Sequence, residues 1–306
     1  MTIDQSRRAG RLVVLCLLLT ALGAAHPAAL RNTAPQARQQ HLRVTVLGRN
    51  DLPVRDLTVA DFVVREDGAT REVLNVVAAS RSDHVVVLID DSQAMTSLVV
   101  DLREGLQAFI RAVTDVTTPP SVRLTTFGDR PTVHVDFTTS VSALSRGADR
   151  VVPRPGSGAT LLDAIVETTR DLRTRGIAGA VIVAFVAEGG PEFSDVSREQ
   201  VERAVRESGA SLWSILLAEP SGPETSGPGR ERAAVLGDVT VASGGINRLV
   251  LGRQGIVAAF SSIGDALSAS YDITYGRPDR LIPPSRVEVS TRDSAQKVLA
   301  PRWATP

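Results

Sequence analysis

Residues Asp83 to Met95 read DHVVVLIDDSQAM, and the apolar run from Val85 to Ile89 constrains the fold more than any other stretch of the chain. Every residue in that run is β-branched or Leu, with no polar residue between, which predicts a strand buried on both faces in the middle of a parallel sheet. The run stops at Asp90, Asp91 and Ser92, and a helical pattern begins a few residues later. In an open α/β sheet, ligands bind in the crevice beyond the carboxyl ends of the central strands. Oxygen-bearing side chains at this strand end are therefore candidate ligand groups.

Two further apolar runs share this character, Ala180 to Ala187 and Leu212 to Leu217, and each follows or precedes a stretch of helical periodicity. Val99, Leu102, Leu106, Phe109, Ile110 and Val113 recur at three- and four-residue steps, as do Leu161, Ile165, Thr168 and Leu172, and later Ile256, Phe260, Ile263 and Leu267. Val201 to Arg206 and Leu236 to Ala242 also read as helical, and Arg248 to Leu251 as a short strand. Val122–Phe127 and Thr132–Phe137 predict a hairpin around Gly128-Asp129-Arg130. Strands alternating with helices across 83–270 predict a doubly wound, mostly parallel α/β sheet.

The flanks have a different period. Leu42, Val44 and Val46 alternate with polar residues, as do Tyr271, Ile273 and Tyr275 and then Val287 and Val289. Thr58 is placed to open a helical turn before Asp61, Phe62–Arg65 and Val73–Val77 read as strands, and Asp67-Gly68 marks a turn between them. So few strands cannot bury a core alone. The expected solution pairs the strands of 42–80 with those of 271–304, making a discontinuous β module into which the α/β domain is inserted.

The first 25 residues combine Arg7, Arg8 and Arg11 with an apolar stretch from Leu12 to Leu22 and small residues at Gly23–Ala25, the layout of a secretory signal peptide cleaved after Ala25. The alternative is an uncleaved anchor helix. Residues 26–41 are expected to be a polar tether, and 219–230 a surface loop. The only cysteine, Cys16, lies in the leader, so a mature chain would have no disulfide or zinc-thiolate site. The chain has zero formal net charge, and nothing in it favours nucleic acid as a partner.

VVVLIDDSQAM, PGSGATLLDAI and VIVAFVAEGG resemble the three site loops of a von Willebrand factor type A domain. The flanks DLTVADFVVREDG, ASGGINRLV and SYDITYG resemble a secreted acidobacterial subfamily built around such a domain, so that the likeness spans nearly all of the mature chain. The resemblance implies a Rossmann-like fold and a metal-ion-dependent adhesion site. Asp90, Ser92 and Thr160 match the family's first Asp, first Ser and Thr, Ala94 stands where a second Ser belongs, and Glu188 replaces an Asp. Mg²⁺ requires near-ideal octahedral oxygen coordination at about 2.0–2.1 Å, which these two departures disturb. Asp91 is next to Asp90 on an extended segment and is expected to point the other way.

The implied function is a non-catalytic, extracytoplasmic binding module. Its rim carries Asp90, Asp91, Ser92, Ala94, Gly158, Thr160 and Glu188, and it docks an unknown protein partner with or without Mg²⁺. In the metal-dependent alternative, a partner carboxylate completes the Mg²⁺ shell. Simpler roles exist for the same residues: Ser92 and Thr160 as helix caps, and Asp163 as the partner of Thr160 in a capping box. A hydrolase is disfavoured, because His84 is expected at the far end of its strand, His134 on an edge strand facing solvent, and no nucleophile-elbow or zinc-helix motif occurs. Trp213 and Trp303 are expected to be packed strand aromatics.

Overall fold

The computed structural model describes residues 38–79, 82–218, 226–279 and 282–303. The expected signal peptide, Cys16 and most of the expected tether lie outside them. Strand β1 (Arg38–Leu47) begins before Leu42, correcting the end of the tether. Its first residues, Arg38 to His41, pair with Arg277 to Thr274, and a largely polar pairing leaves no apolar alternation to read. Asp61 reaches back to the Thr58 amide at 2.7 Å across the short turn Val59–Asp61. Strands β2 (Phe62–Glu66), β3 (Ala69–Arg71) and β4 (Val73–Ala79) follow. Asp67 and Gly68 both take positive φ, 46° and 81°, in the tight turn joining β2 to β3.

Strand β5 (His84–Ile89) is the apolar run. Val85, Val87 and Ile89 enter the core on one face and Val86 and Leu88 on the other, the two-residue period of a strand covered on both sides. Helix α1 (Val99–Thr114), hairpin β6 (Ser121–Thr126) and β7 (Thr132–Thr138), helices α2 (Val141–Asp149) and α3 (Leu161–Thr174), strand β8 (Val181–Ala187), helix α4 (Arg198–Ser208) and strand β9 (Ser211–Leu217) continue the wind. Helix α5 (Gly227–Ala234) passes through a π turn (Val235–Val239) into α6 (Thr240–Ala242). Strand β10 (Asn247–Val250) and helix α7 (Ile256–Leu267) complete it.

Helix α2 has no counterpart in the sequence reading. It offers only Leu144, Gly147 and Ala148 to the interior, too few apolar residues to show a period, although Ser140 at its N-cap accepts from the Ala143 amide. Helix α5 begins inside the stretch expected to be a loop, with Ser226 capping it and Pro228 in its first turn.

The central sheet runs β10-β9-β8-β5-β6-β7, parallel throughout except for the edge strand β7. Helices α1, α2 and α7 cover one face, where Phe185 stacks on Phe260 at 3.9 Å, while α3, α4 and the π turn after α5 cover the other. The protein is thus a doubly wound, mostly parallel α/β fold. From β5 the chain winds outward to β6 and β7 and then returns to β8 on the other side. The crevice between the carboxyl ends of β5 and β8 is therefore the topological switch point of the sheet.

The flanks form two antiparallel sheets. Strands β11 (Ser270–Arg277) and β13 (Lys297–Leu299) sandwich β1, with β4 outside, in the order β13-β1-β11-β4. Strand β12 (Val287–Thr291) pairs with β2 in the order β12-β2-β3. Leu42, Val44, Val46, Phe62, Tyr271, Ile273 and Val287 pack between these sheets, so head and tail residues share one core. Trp213 is buried on β9, but Trp303 lies past the last strand, half-buried against the core under α3 and α4. No helix among the described residues is long and apolar enough to cross a membrane.

Candidate binding rim at the switch point

The loops that follow β5, β6 and β8, and the loop before α3, are stitched into one surface by backbone bonds. Thr160 N donates to Phe127 O (2.8 Å), Ala159 N to Pro191 O (2.8 Å), Phe193 N to Ala159 O (2.7 Å), Arg154 N to Asp91 O (2.9 Å) and Gln93 N to Ser157 O (3.2 Å). Gln93 Oε1 also accepts from the Gly156 amide at 2.7 Å. A rim pinned in this way loses little conformational entropy on binding a partner.

Asp90 is fully buried. Its Oδ1 accepts the Ser92 amide at 2.9 Å and its Oδ2 the Ala187 amide at 3.0 Å, so the carboxylate bridges the ends of β5 and β8 across the switch-point crevice. Burial pushes its pKa upward, opposed by the nearby Ser92 hydroxyl, the two amides and the Arg232 guanidinium. That hydroxyl is itself buried and has no partner in hydrogen-bonding geometry. Asp91 points the opposite way, as expected. Its Oδ1 accepts the Gly128 amide at 2.5 Å and its Oδ2 pairs with Arg154 Nε at 2.9 Å.

Ala94 and Ser92 gather around Gly190, where a β-carbon would lie 2.9 Å from Ala94 Cβ and 3.5 Å from Ser92 Oγ. Thr160 donates its hydroxyl to the Phe127 carbonyl at 2.8 Å and does not cap α3, nor does Ser92 cap the turn that follows it. The expected Thr160–Asp163 capping box is absent, because Asp163 Oδ2 accepts the Asp195 amide at 3.4 Å instead. Glu188 is half-exposed, while its carbonyl accepts from Arg232 Nη2 at 2.8 Å. Gly158 lies under Phe193, whose ring would be 2.4 Å from a Gly158 β-carbon.

Three contributors were not visible in the sequence. Glu192 is 2% exposed, accepts from Ser194 Oγ at 2.5 Å, and lies 3.5 Å from Arg232 Nη1. Arg232 is 3% exposed. Phe193 is 59% exposed on the rim. An Arg in a Gly-, Pro- and Glu-rich stretch reads as a solvated side chain, and only the fold brings it under the sheet end. The weak signal that existed was Pro228 after Ser226, a helix start.

The donor set does not fit Mg²⁺. Both Asp90 oxygens already hold amides, Ala94 has no oxygen, Glu188 is half-exposed, and a guanidinium shares the crevice. Only the unpartnered Ser92 hydroxyl has the character of a vacant ligand. Among the described residues no group of three His, Cys, Asp or Glu side chains is arranged to hold a metal ion. The histidines stand apart: His84 packs edge-on against Phe137 (5.1 Å) at the amino end of β5, the end remote from the rim. His134 is half-buried rather than solvent-facing, with Nε2 3.2 Å from Thr126 Oγ1, and burial lowers its pKa.

No family model matches the sequence, and no curated protein does. Solved structures similar in fold include a von Willebrand factor type A protein from Catenulispora acidiphila, at 10% identity over 90% of this chain and 75% of that one, with a TM-score of 0.47. The ArnB paralog VWA2 from Sulfolobus acidocaldarius matches at 12% identity over 88% and 76%, with a TM-score of 0.44. The vWF domain of the type V pili tip protein Mfa5 from Porphyromonas gingivalis matches at 10% identity over 62% and 96%, with a TM-score of 0.47. The strand order and loop geometry described above, not these likenesses, define the architecture.

Proposed function

We propose that the chain is a non-catalytic binding module of the von Willebrand factor A type, exported by its leader, which docks a protein partner on the rim at the carboxyl ends of β5, β6 and β8. The supporting observation is Phe193. It is an aromatic side chain 59% exposed on a loop whose backbone is bonded to Ala159 and, through Pro191, to the loop before α3. Aromatic residues, Phe among them, are enriched in protein interfaces relative to the rest of the surface. A catalytic role has no histidine base beside Ser92, since His84 packs on Phe137 and His134 on Thr126. Metal-dependent adhesion is the second reading, supported by the unpartnered Ser92 hydroxyl and opposed by the rest of the donor set.

The test places a photo-reactive amino acid at position 193, or at exposed Thr118 ahead of β6 at the opposite end of the sheet, and irradiates each protein with the extracytoplasmic fraction of the source cells. A discrete adduct from position 193 alone supports the reading. Equal labelling from both ends, or none, sinks it.

A further inference from the structure

Arg232 is in an unusual position for an arginine. It projects from α5 into the interior, where Nη2 donates to the Glu188 carbonyl at 2.8 Å and Nη1 lies 3.5 Å from Glu192 Oε2. The Glu188 carbonyl that it holds directly follows Ala187, whose amide bonds Asp90 Oδ2 at 3.0 Å, so the guanidinium and the Asp90 bridge meet on one loop. Asp90 and Glu192 are both buried, and the Asp90 charge helps raise the Glu192 carboxyl. Two carboxyl groups at the end of a parallel sheet, shielded from water, keep their charge only beside a cation and otherwise take up protons.

We infer that Arg232 is the resident cation of the switch-point crevice, holding by its guanidinium the place beside Asp90 and Glu192 that a divalent ion would otherwise occupy, so that the rim works without metal. The guanidinium suits the role because it stays protonated at any physiological pH and its planar fork reaches a carbonyl and a carboxylate together. A dication entering the crevice would meet this charge at short range with little water to screen it. It would also have to break the bond to the Glu188 carbonyl. Arg232 in addition ties α5 to the loop after β8, so the same contact that neutralises the crevice holds the rim's shape. This inference stands whether or not the rim docks a protein.

The experiment uses the full chain, with Mg²⁺ and Mn²⁺ as probes, read by calorimetry and by thermal melting. The native protein is expected to melt at the same temperature with and without either ion. A variant with the family's donors restored, Ala94→Ser with Glu188→Asp, is expected to remain metal-blind while Arg232 is present. Adding Arg232→Met to that variant is expected to bring Mn²⁺ binding at least tenfold tighter, lost again with Asp90→Asn. If removing Arg232 leaves a protein that does not fold, Glu192→Gln is combined with it to lower the uncompensated charge, and the same gain is expected. An Asp90-dependent metal response in the native protein overturns the inference. So does restored-donor protein that binds Mn²⁺ equally well with Arg232 in place, or an absence of binding in every variant lacking Arg232.

Discussion

The amide of Gly128 donates to Asp91 Oδ1 at 2.5 Å, and a β-carbon on Gly128 would lie 2.7 Å from that same oxygen and 3.0 Å from the Asp91 carbonyl carbon. The end of β6 therefore approaches the end of β5 as closely as it does because residue 128 has no side chain. Gly128→Ala is expected to cost about 1–3 kcal/mol, the usual penalty of forcing atoms into a packed site. Denaturant unfolding of the two proteins checks this. A difference within about 0.5 kcal/mol, the range of ordinary surface substitutions, would show that the contact relaxes freely.

The same loop shows which parts of the site the sequence could reveal. Asp90 and Asp91 follow a strand, and neighbouring residues on an extended chain face opposite ways, so their divergence was foreseeable and is observed. The sheet was equally legible, because Val85 to Ile89 and Ile182 to Val186 are apolar on both faces. Long-range electrostatic partners left no such trace. Arg232 reaches Glu192 across 40 residues, and no periodicity or turn chemistry encodes that meeting. The caps failed for a related reason. Thr160 could bond either its own helix or the Phe127 carbonyl, and tertiary packing supplied the carbonyl.

Gly158 and Phe193 offer a test of the rim that requires no partner. A β-carbon at 158 would lie 2.4 Å from the Phe193 ring and 2.8 Å from the Pro191 carbonyl. Gly158→Ala is therefore expected to push the ring aside and to shift the Pro191 carbonyl that accepts the Ala159 amide, while leaving the sheet interior intact. The ring resonances of Phe193 should move and those of buried Phe185 should not. Unmoved Phe193 resonances would mean that the ring does not rest on Gly158 in solution.

Glu192 makes stability depend on pH. Burial is the main cause of its carboxyl being pushed up from 4.5 to about 7, against the opposing pull of Ser194 and Arg232. An acid whose pKa is raised by folding binds its proton more tightly in the native state, so stability is greatest below the unfolded value and falls as pH rises toward the folded one. The loss between about pH 4.5 and pH 7 is expected to be on the order of 3 kcal/mol. Glu192→Gln should remove this slope and be the more stable protein at pH 8. Unfolding free energies at pH 5, 6, 7 and 8 decide it, and parallel curves for the two proteins would refute the assignment.

Glu66 joins the two flanking sheets. It lies on β2, is 2% exposed, and accepts from Tyr275 Oη at 2.8 Å and Arg277 Nε at 2.6 Å on β11 and from Arg71 Nε at 2.9 Å on β3. Burial alone would raise its pKa, but these three donors outweigh it and the net shift is downward, while burial and the Glu66 charge push Tyr275 up to about 12. Glu66→Ala leaves two arginines and a phenol without their acceptor and is expected to cost about 3–5 kcal/mol, the range for breaking a buried pair. Tyr275→Phe, which removes one donor and leaves the carboxylate paired, is expected to cost about 1 kcal/mol. Because Leu47 and Leu299 on these flanks also enter the core beneath α1, the loss should appear as one cooperative transition at lower temperature. Two separated transitions in Glu66→Ala would instead mean that the head-and-tail β module unfolds independently of the α/β sheet it encloses.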